Sequence, residues 1–283
     1  MATVIDGKKI AEIFCEQMKE LTLKLKKRGI NPHIALINVG NDSASSIYVA
    51  KKEKLAAAIG IFSTVHKFDN NVDENDLIAL IKKLNIDKEV HAILLQSPLP
   101  QNFQFRRLVD LIDPGKDVDG LTTLNQGRLF VGEPGVAPCT PLGILHLLRT
   151  VRERIDGLHA VVLGRSYIVG RPLAQLLLNA NCTITLLHSY SKDLKSICKT
   201  ADILVCAIGK PLFIDKEFIK SGAIVIDVGV NRIENNGSKK IVGDVVFDEV
   251  SELAAAITPV PNGVGPMTVA YLMHNTLNLA SCH

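Results

Sequence analysis

The sequence predicts an α/β fold of two domains, and three observations support this prediction. The chain has 283 residues, which at about 150 residues per domain corresponds to roughly two domains. Short apolar runs recur along the chain without the alternation of half-exposed strands, as is typical of strands buried on both faces of a parallel sheet. Helical segments lie between these runs, and such an order indicates right-handed β–α–β crossovers.

Each predicted strand is nearly continuous in Ile, Val, Leu and Ala. Most of the runs end in Gly or Ser plus a polar group, which favours a turn into a helix. The predicted strands are residues 33–40, 91–96, 159–164, 183–189, 202–209 and 222–229.

The predicted helices have apolar residues at helical spacing. They are residues 7–28, 43–58, 73–86, 142–152 and 170–180. For the second helix, Asp42 or Ser43 is the predicted N-cap and Gly60 follows its end. We place the domain boundary in the Gly- and Pro-rich stretch 131–141.

Composition excludes several classes of protein. The chain is 47% hydrophobic and 22% charged, which argues against disorder. Its apolar runs are shorter than the ~18–20 residues that span a bilayer. Acidic Asp6 and Glu12 and the lack of a long apolar stretch near the N-terminus predict that there is no signal peptide. A net charge of +3 is too small to indicate nucleic-acid binding.

The cysteine and histidine spacing predicts neither disulfides nor a metal site. The six cysteines form no CxxC pair, and the eight histidines form no HxxxH or HExxH pattern. In a long chain without a secretion signal, such cysteines are expected to be reduced. A zinc site is therefore not expected, and the predicted location is the cytoplasm.

Residues 160–178 give the clearest ligand signal, because an apolar strand, a glycine loop and an apolar helix follow one another. Gly164 permits a tight turn after the strand, and Arg165 and Ser166 lie beside the helix start, whose free N–H groups attract phosphate. Gly170 allows close packing. The two glycines are six apart, so the loop departs from GxGxxG, but its context predicts a nucleotide site.

The next strand predicts which dinucleotide is bound. An NAD site usually has an acid about 20 residues on, where it binds the ribose 2′-hydroxyl. Strand 183–188 instead runs into Ser189 and Lys192, and the first acid is Asp193. Together with Arg165 this favours NADP. The alternative is that Arg165 and Ser189 are ordinary loop residues.

Tyr48 and Lys52 are four residues apart on a predicted helix and therefore share one face. A tyrosine and a lysine side by side can alter each other's proton affinity. The alternative is an amphipathic helix with a solvated lysine. The same YxxxK spacing occurs in short-chain dehydrogenases, but there the pair follows the nucleotide loop, whereas here it precedes it.

Two further segments are candidates for ligand contact. Gln96 ends a buried strand, so its amide either points into the crevice where α/β ligands bind or binds nearby backbone. The Gly- and Pro-rich segment 258–268 predicts a stiff loop able to lie against a flat ligand. Alternatively, it is a plain turn.

Asp117 and Asp119 precede Gly120 and provide two carboxylates. A calcium loop counted from Asp113 would need a glutamate where Leu124 stands, so we reject that reading. A carboxylate can accept two parallel N–H bonds, which suits a donor-rich heterocycle. The alternative for Asp119 is that it braces the turn at Gly120.

Taken together, these segments resemble the bifunctional methylenetetrahydrofolate dehydrogenase/methenyltetrahydrofolate cyclohydrolase family, from about residue 2 to about residue 280. The chain departs from the usual pattern at Ser97, where many relatives have Leu, and in HSYSKDL (188–194). The motifs that carry the resemblance are YxxxK from Tyr48, QxPLP from Gln96, KDVDG at 116–120, PCTP at 138–141, GRSxIVGRP at 164–172 and PxGVGPMT at 261–268.

The resemblance implies two reactions of one-carbon metabolism that supply purine biosynthesis. NADP⁺ would oxidise 5,10-methylenetetrahydrofolate to the methenyl compound, which is then hydrolysed to 10-formyltetrahydrofolate. It also implies two α/β domains flanking a cleft. Residues 1–137, completed by the C-terminal helix 266–283, would bind folate, and residues 138–265 would form a Rossmann-type NADP domain. A homodimer and substrates with or without a polyglutamate tail are further expectations.

The resemblance also assigns roles to residues. Lys52 would be the general acid/base, Tyr48 would stack on or orient the folate, Gln96 would hold Lys52, and Asp119 would clamp the amino-pyrimidine edge of the pterin. The residues expected to line the NADP site are Gly164, Arg165, Ser166, Ser189 and Val230. Those expected to border the substrate are Pro261, Asn262, Gly263, Val264 and Gly265.

Two rival readings remain at this point. One is a non-catalytic NADP-binding protein, which the joint presence of Tyr48, Lys52, Gln96 and Asp119 disfavours. The other is a dehydrogenase of the same family that lacks the hydrolase or uses NAD.

Overall fold

The computed structural model describes residues 1–40, 43–235 and 238–282, which form two compact units. The first unit comprises Ile13–Cys139 and residues 269–282, and the second comprises Met1–Glu12 and Thr140–Thr268. The division differs from the predicted one at the N-terminus. The first twelve residues belong to the second unit, because Thr3 and Val4 pair with Ala256 and Ile257 in its sheet.

The described residues contain short strands that alternate with helices for most of the chain. In order, the elements are β1 (Thr3–Val4), α1 (Gly7–Lys27), β2 (His33–Val39), α2 (Ser43–Ile59), β3 (Phe62–Phe68), α3 (Glu74–Ile86), β4 (Ala92–Leu95), α4 (Phe105–Val109), α5 (Thr123–Val131), α6 (Cys139–Val151), β5 (His159–Leu163), α7 (Gly170–Asn179), β6 (Thr183–Leu187), α8 (Leu194–Cys198), β7 (Ile203–Cys206), a 3₁₀ turn (Lys216–Phe218), β8 (Ile224–Asp227), β9 (Asn231–Asn235), β10 (Ser238–Val242), α9 (Phe247–Ser251), β11 (Ala256–Ile257) and α10 (Val264–Ser281).

The first unit is built on a three-stranded parallel sheet in the order β3-β2-β4. The central strand is buried from Ile34 to Val39, as its apolar sequence predicts. The backbone N–H of Gln96 donates to the carbonyl of Ile37, which fixes Gln96 at the carboxyl edge of this sheet. The sheet therefore carries Gln96 where α/β folds bind ligands.

The second unit is built on a six-stranded sheet in the order β1-β11-β8-β7-β5-β6, whose neighbours all pair in parallel. From β5 the chain passes to β6 on one side and then to β7 on the other side. This reversal is a topological switch point, and ligands of open α/β sheets bind outside the carboxyl ends of the strands at such a point. Strands β9 and β10 form a separate antiparallel hairpin.

The predicted α/β class is confirmed, and the six predicted strands and five predicted helices are all found near their expected positions. Strand β3 was not predicted, because its partly exposed sequence FSTVHKF lacks the continuous apolar run of the others. Residue 42 lies outside the described residues, as does the side chain of residue 43, so the predicted N-cap of α2 falls there. In the parts that the structure describes, no helix is both long and apolar enough to cross a bilayer.

Candidate active site

Lys52 and Gln96 form a direct contact in the first unit. Lys52 lies half-buried on α2, and its Nζ donates to Oε1 of Gln96 at 2.8 Å. Gln96 is buried just beyond β4, and its Nε2 donates to the carbonyl oxygen of Ser97 at 2.5 Å. The Gln96 side-chain amide therefore binds the adjacent backbone, as one interpretation of the sequence expects, and it also binds Lys52. Its contact with a ligand stays a prediction.

The surroundings of Lys52 shift its protonation. Burial lowers the pKa of the Lys52 ammonium, while the negative charge of Asp119 opposes that change. Burial conversely raises the pKa of the Asp119 carboxyl, and the charge of Lys52 opposes it. Desolvation disfavours the charged form of each group and so brings their proton affinities closer together. A lysine shifted in this direction is suited to general acid/base catalysis near neutral pH.

Asp119 and Cys139 contact each other beside Lys52. The Asp119 carboxylate accepts hydrogen bonds from the backbone N–H and the thiol of Cys139. The thiol Sγ also lies 3.5 Å from the carbonyl oxygen of Val118, so its single proton has two acceptors within reach. Burial raises the pKa of the Cys139 thiol well above its usual value, which keeps it protonated as a donor. Sequence reasoning assigned no role to Cys139.

Asp117 braces the turn that follows Asp119. Its carboxylate accepts from the backbone N–H of Leu121 at 3.2 Å and of Thr122 at 2.8 Å, and from Nδ2 of Asn125 at 3.0 Å. Gly120 within this turn has φ +63°, in the left-handed region that glycine adopts without strain. The Asp117 carboxylate thus binds the turn, whereas the Asp119 carboxylate contacts Cys139.

Asn275 on α10 ties two segments of the first unit together. Its Nδ2 donates to the carbonyl oxygen of Val118 at 2.9 Å and to that of Ala137 at 3.1 Å. The Val118 carbonyl directly precedes Asp119 in the chain, and the Ala137 carbonyl lies two residues before Cys139. The side chain is buried, so both donor protons have protein partners without water. Asn275 is 136 positions from Cys139 in the sequence, so no local sequence pattern could predict that the two residues lie together.

Tyr48 lies one turn before Lys52 on α2 and is 41% exposed. The Nζ of Lys51 lies 5.8 Å from the centroid of its ring. A large part of the ring is therefore open for stacking against a flat ligand.

The glycine loop of the second unit is shaped by close backbone contacts. Gly164 follows β5 with φ +126°, and a Cβ there would overlap the carbonyl oxygen of Ala207. A Cβ on Gly170 would in turn overlap the carbonyl oxygen of Gly164. Oγ of Ser166 accepts from the backbone N–H of Val169 at 3.1 Å and of Gly170 at 3.4 Å, so it caps the start of α7.

Arg165 and the loop after β6 place a cation near the expected ribose position. The guanidinium carbon of Arg165 lies 5.7 Å from the ring centroid of Tyr190, which is 81% exposed. The N–H of Ser191 donates to the carbonyl of His188 at 2.9 Å and closes a tight turn that presents Tyr190 and Ser189 to solvent. These residues fit a dinucleotide with a 2′-phosphate, because a helix start and an exposed arginine flank one glycine turn.

The remaining predicted residues are also in the second unit. Val230 is 55% exposed after β8. Just before α10, Pro261 and Asn262 are exposed and Gly263 is buried. In the first turn of α10, Val264 is buried and Gly265 is exposed. Asn262 has φ +79°, a left-handed conformation that Asn tolerates better than most residues. The predicted loop 258–268 is therefore shorter than expected: it ends at Gly263, because the chain is helical from Val264 onward and Pro266 is tolerated in the first turn of a helix.

Comparison with known proteins shows which family this chain belongs to. The tetrahydrofolate dehydrogenase/cyclohydrolase catalytic domain matches residues 5–119, and the NAD(P)-binding domain of the same family matches residues 138–283. The chain belongs to this family. It is 49% identical over 275 residues to the bifunctional protein FolD of Agathobacter rectalis, covering 97% of this chain and 98% of that one.

Solved structures agree with this relationship. The bifunctional methylenetetrahydrofolate dehydrogenase/cyclohydrolase FolD of Campylobacter jejuni has a TM-score of 0.97 and 43% identity, covering 100% of this chain and 99% of that chain. The enzyme of Trypanosoma brucei, complexed with NADP cofactor and inhibitor, has a TM-score of 0.95 and 37% identity, covering 99% and 98%.

The family relationship confirms the predicted fold class, the dehydrogenase/cyclohydrolase function and the nicotinamide dinucleotide cofactor. The roles of the individual residues remain predictions. The structure brings Lys52, Gln96 and Asp119 together in the first unit, with Tyr48 on the same helix as Lys52. It assigns the predicted NADP residues and the loop 261–265 to the second unit.

Proposed function

We propose that this chain oxidises 5,10-methylenetetrahydrofolate with NADP⁺ and then hydrolyses the methenyl product, with Lys52 as the group that moves protons. The observation that carries this proposal is the bond from Lys52 Nζ to Gln96 Oε1 in a buried setting beside Asp119. A lysine serving only as a solvated surface charge would need neither the bond nor the burial.

The oxidation depends on placement of the substrate. When bound, NADP⁺ supplies a hydride acceptor, and the protein contributes binding and orientation. Gly164 and the Ser166-capped start of α7 bind the pyrophosphate, and Arg165 with Ser189 binds the 2′-phosphate. Val230 lines the same site. The loop Pro261–Gly265 borders the substrate.

The hydrolysis requires a base and then an acid. Water adds to the cationic carbon between the two folate nitrogens, and the neutral amine of Lys52 takes one proton from it. Lys52 returns that proton to the ring nitrogen as its bond to this carbon breaks, which leaves the formyl group on the other nitrogen and releases one proton overall. Gln96 directs the amine through the 2.8 Å bond.

Tyr48 and Asp119 recognise the pterin. The exposed face of the Tyr48 ring stacks on the flat heterocycle. The Asp119 carboxylate accepts the amino group and ring N–H of its pyrimidine edge in parallel. The position of Asp119 beside Lys52 supports this role, since the pterin and the reacting carbon belong to one rigid molecule.

One assay tests the proposed function. Purified protein is incubated with 5,10-methylenetetrahydrofolate and either NADP⁺ or NAD⁺, and the methenyl and formyl products are followed separately. We expect both products and a clear preference for NADP⁺. Accumulation of the methenyl product without enzymatic hydrolysis would contradict the cyclohydrolase activity. Equal rates with NAD⁺ and NADP⁺ would contradict the assignment of Arg165 to the 2′-phosphate.

We also propose that the chain works as a homodimer in the cytoplasm, accepts polyglutamylated folates and supplies purine biosynthesis. The similarity to bifunctional relatives across nearly the whole chain supports these properties. The six cysteines, all without disulfides, fit a reducing compartment. Sedimentation of the purified protein measures the oligomeric state, with a monomer as the contradicting result.

A further inference from the structure

Asp244 is a fully buried acid that lies two residues after β10 in the second unit. One carboxylate oxygen, Oδ2, accepts from the backbone N–H of Ile208 at 2.8 Å and of Gly209 at 3.0 Å. These two amides lie just beyond β7, after Ala207. A charged acceptor bound to two consecutive backbone amides holds the segment in one conformation, because such bonds are stronger than neutral ones.

The other oxygen of Asp244 holds a second segment. Oδ1 accepts from Nδ2 of Asn231 at 2.9 Å, and Asn231 follows Val230 directly. A single carboxylate thus connects the segment after β7 with the segment after β8. Space for this contact exists because residue 229 is glycine, and a Cβ there would overlap Oδ1 of Asp244.

The backbone of Asp244 is itself fixed by a second buried acid, Asp227 at the end of β8. The Asp227 carboxylate accepts from the backbone N–H groups of Gly229, Asp244 and Val245, each at 3.0 Å. It is 3% exposed. Asp244 is therefore anchored to the sheet on one side and binds two loops on the other.

The segments that Asp244 holds lie at the switch point of the sheet. Strands β5 and β7 are neighbours, and Gly164 after β5 lies so close to Ala207 after β7 that a Cβ on Gly164 would overlap the Ala207 carbonyl. Ile208 and Gly209 continue from Ala207, so they form the rim opposite the glycine loop. A Cβ added to Gly209 would meet no atom within 4 Å, which shows that this rim faces open space.

We propose that Asp244 is a positioning residue of the dinucleotide site. By binding the Ile208 and Gly209 amides and the Asn231 side chain, it sets the rim beyond β7 and the Val230 segment in the arrangement that receives NADP. The inference rests on the proposed cofactor.

Direct binding of NADP⁺, measured by calorimetric titration, tests the role of Asp244. Asp244→Ala leaves two amides and one side-chain amide without their acceptor, and we expect NADP⁺ affinity to fall about tenfold or more. Asn231→Ala releases only the Val230 side, so a smaller loss of about threefold is expected. Asp248→Ala, an exposed acid four residues further on, is the matched control and should bind as the wild type does.

Cyclohydrolase activity reports on the first unit, because Lys52 belongs to that unit and hydrolysis consumes no dinucleotide. A melting curve reports the folding of the second unit, which contains Asp244. We expect cyclohydrolase activity to stay within about twofold of the wild-type value in each variant. In the oxidation assay, the KM for NADP⁺ should rise in Asp244→Ala and Asn231→Ala, while the KM for folate should stay the same. If Asp244→Ala does not fold, the same titration of Asp244→Asn and Asn231→Ala with NADP⁺ tests the positioning role of Asp244.

Three outcomes would overturn the proposal. Unchanged NADP⁺ affinity in folded variants would show that the two segments hold without Asp244. Equal loss of NADP⁺ binding, cyclohydrolase activity and melting temperature would show a purely structural role. Failure of the wild type itself to bind NADP⁺ would instead contradict the proposed cofactor, so the two failures can be told apart.

Discussion

Nζ of Lys52 and Oε1 of Gln96 lie 2.8 Å apart and join the middle of a helix to the end of a strand. The hydrogen bond uses one of the lysine N–H groups. It therefore fixes the directions in which the other N–H groups and the lone pair of the amine point. Burial lowers the pKa of the same group, so direction and proton affinity are controlled together. The charge of Asp119 acts against burial and holds the Lys52 pKa higher than burial alone would.

The charge of Asp119 makes a pH test possible. Neutral Lys52 is the base, so hydrolysis should rise with pH as Lys52 loses its proton. Asp119→Asn removes the negative charge that raises the Lys52 pKa, and the rising limb should therefore move to lower pH. The pH dependence of kcat for hydrolysis measures this. If the rising limb of the pH profile stays in place or moves to higher pH, Asp119 does not raise the pKa of Lys52.

Asp119→Ala should weaken folate binding and leave NADP⁺ affinity unchanged. Loss of a carboxylate that binds two ring donors costs about 1–3 kcal/mol, or more where a charge is involved. Calorimetric titration with each ligand and a melting curve give the three quantities. Intact folate binding would contradict the pterin contact.

Asp117→Ala is the matched variant for this experiment, because Asp117 carries the bonds that brace the turn. We expect it to lower the melting temperature more than Asp119→Ala does. The opposite order would mean that Asp119, not Asp117, stabilises the KDVDG segment.

Arg165→Ala should narrow the preference for NADP⁺ over NAD⁺. A charge-assisted bond from arginine to phosphate contributes about 1.5–3 kcal/mol, which corresponds to roughly ten- to a hundredfold in affinity. Dissociation constants for both dinucleotides measure the change, and Arg152→Ala, an exposed arginine of the same unit, is the control. Equal affinities in the wild type would overturn the assignment.

Asn275→Leu should destabilise the first unit. The buried carbonyl of Val118 and the part-buried carbonyl of Ala137 would lose the Asn275 amide as a donor, at a cost of about 1–3 kcal/mol in the free energy of unfolding. Denaturant titration measures it. Asn278→Leu on the same helix is exposed and should change stability little, so equal effects of the two variants would contradict the role of Asn275.

The sequence predicted those parts of the fold whose signals are local. Continuous apolar runs identified β2 and β5, and the strand–glycine–helix order identified the loop at Gly164. Strand β3 and the pairing of β1 with β11 were not predicted, because a half-exposed strand and a two-residue strand leave little periodic signal. The placement of residues 1–12 with the second unit follows from that long-range pairing and from backbone bonds such as that of the Lys8 N–H to the carbonyl of Asn262.

The site shows the same division. Spacing on one helix related Tyr48 to Lys52, and motifs singled out Gln96 and Asp119. The bonds from Asn275 to Val118 and from the Ile208 N–H to Asp244 join residues distant in sequence, and no local pattern predicts them.

Lys52→Met removes the amine that is proposed to move the proton in hydrolysis. The variant keeps a long apolar side chain, and Lys54→Met, an exposed lysine on the same helix, serves as the control. We expect the rate of methenyltetrahydrofolate hydrolysis to fall by about 10²–10⁴-fold, with the oxidation less affected, because hydride transfer needs no obligatory proton transfer. A Lys52→Met protein that hydrolyses the methenyl compound at a near-normal rate would contradict the account.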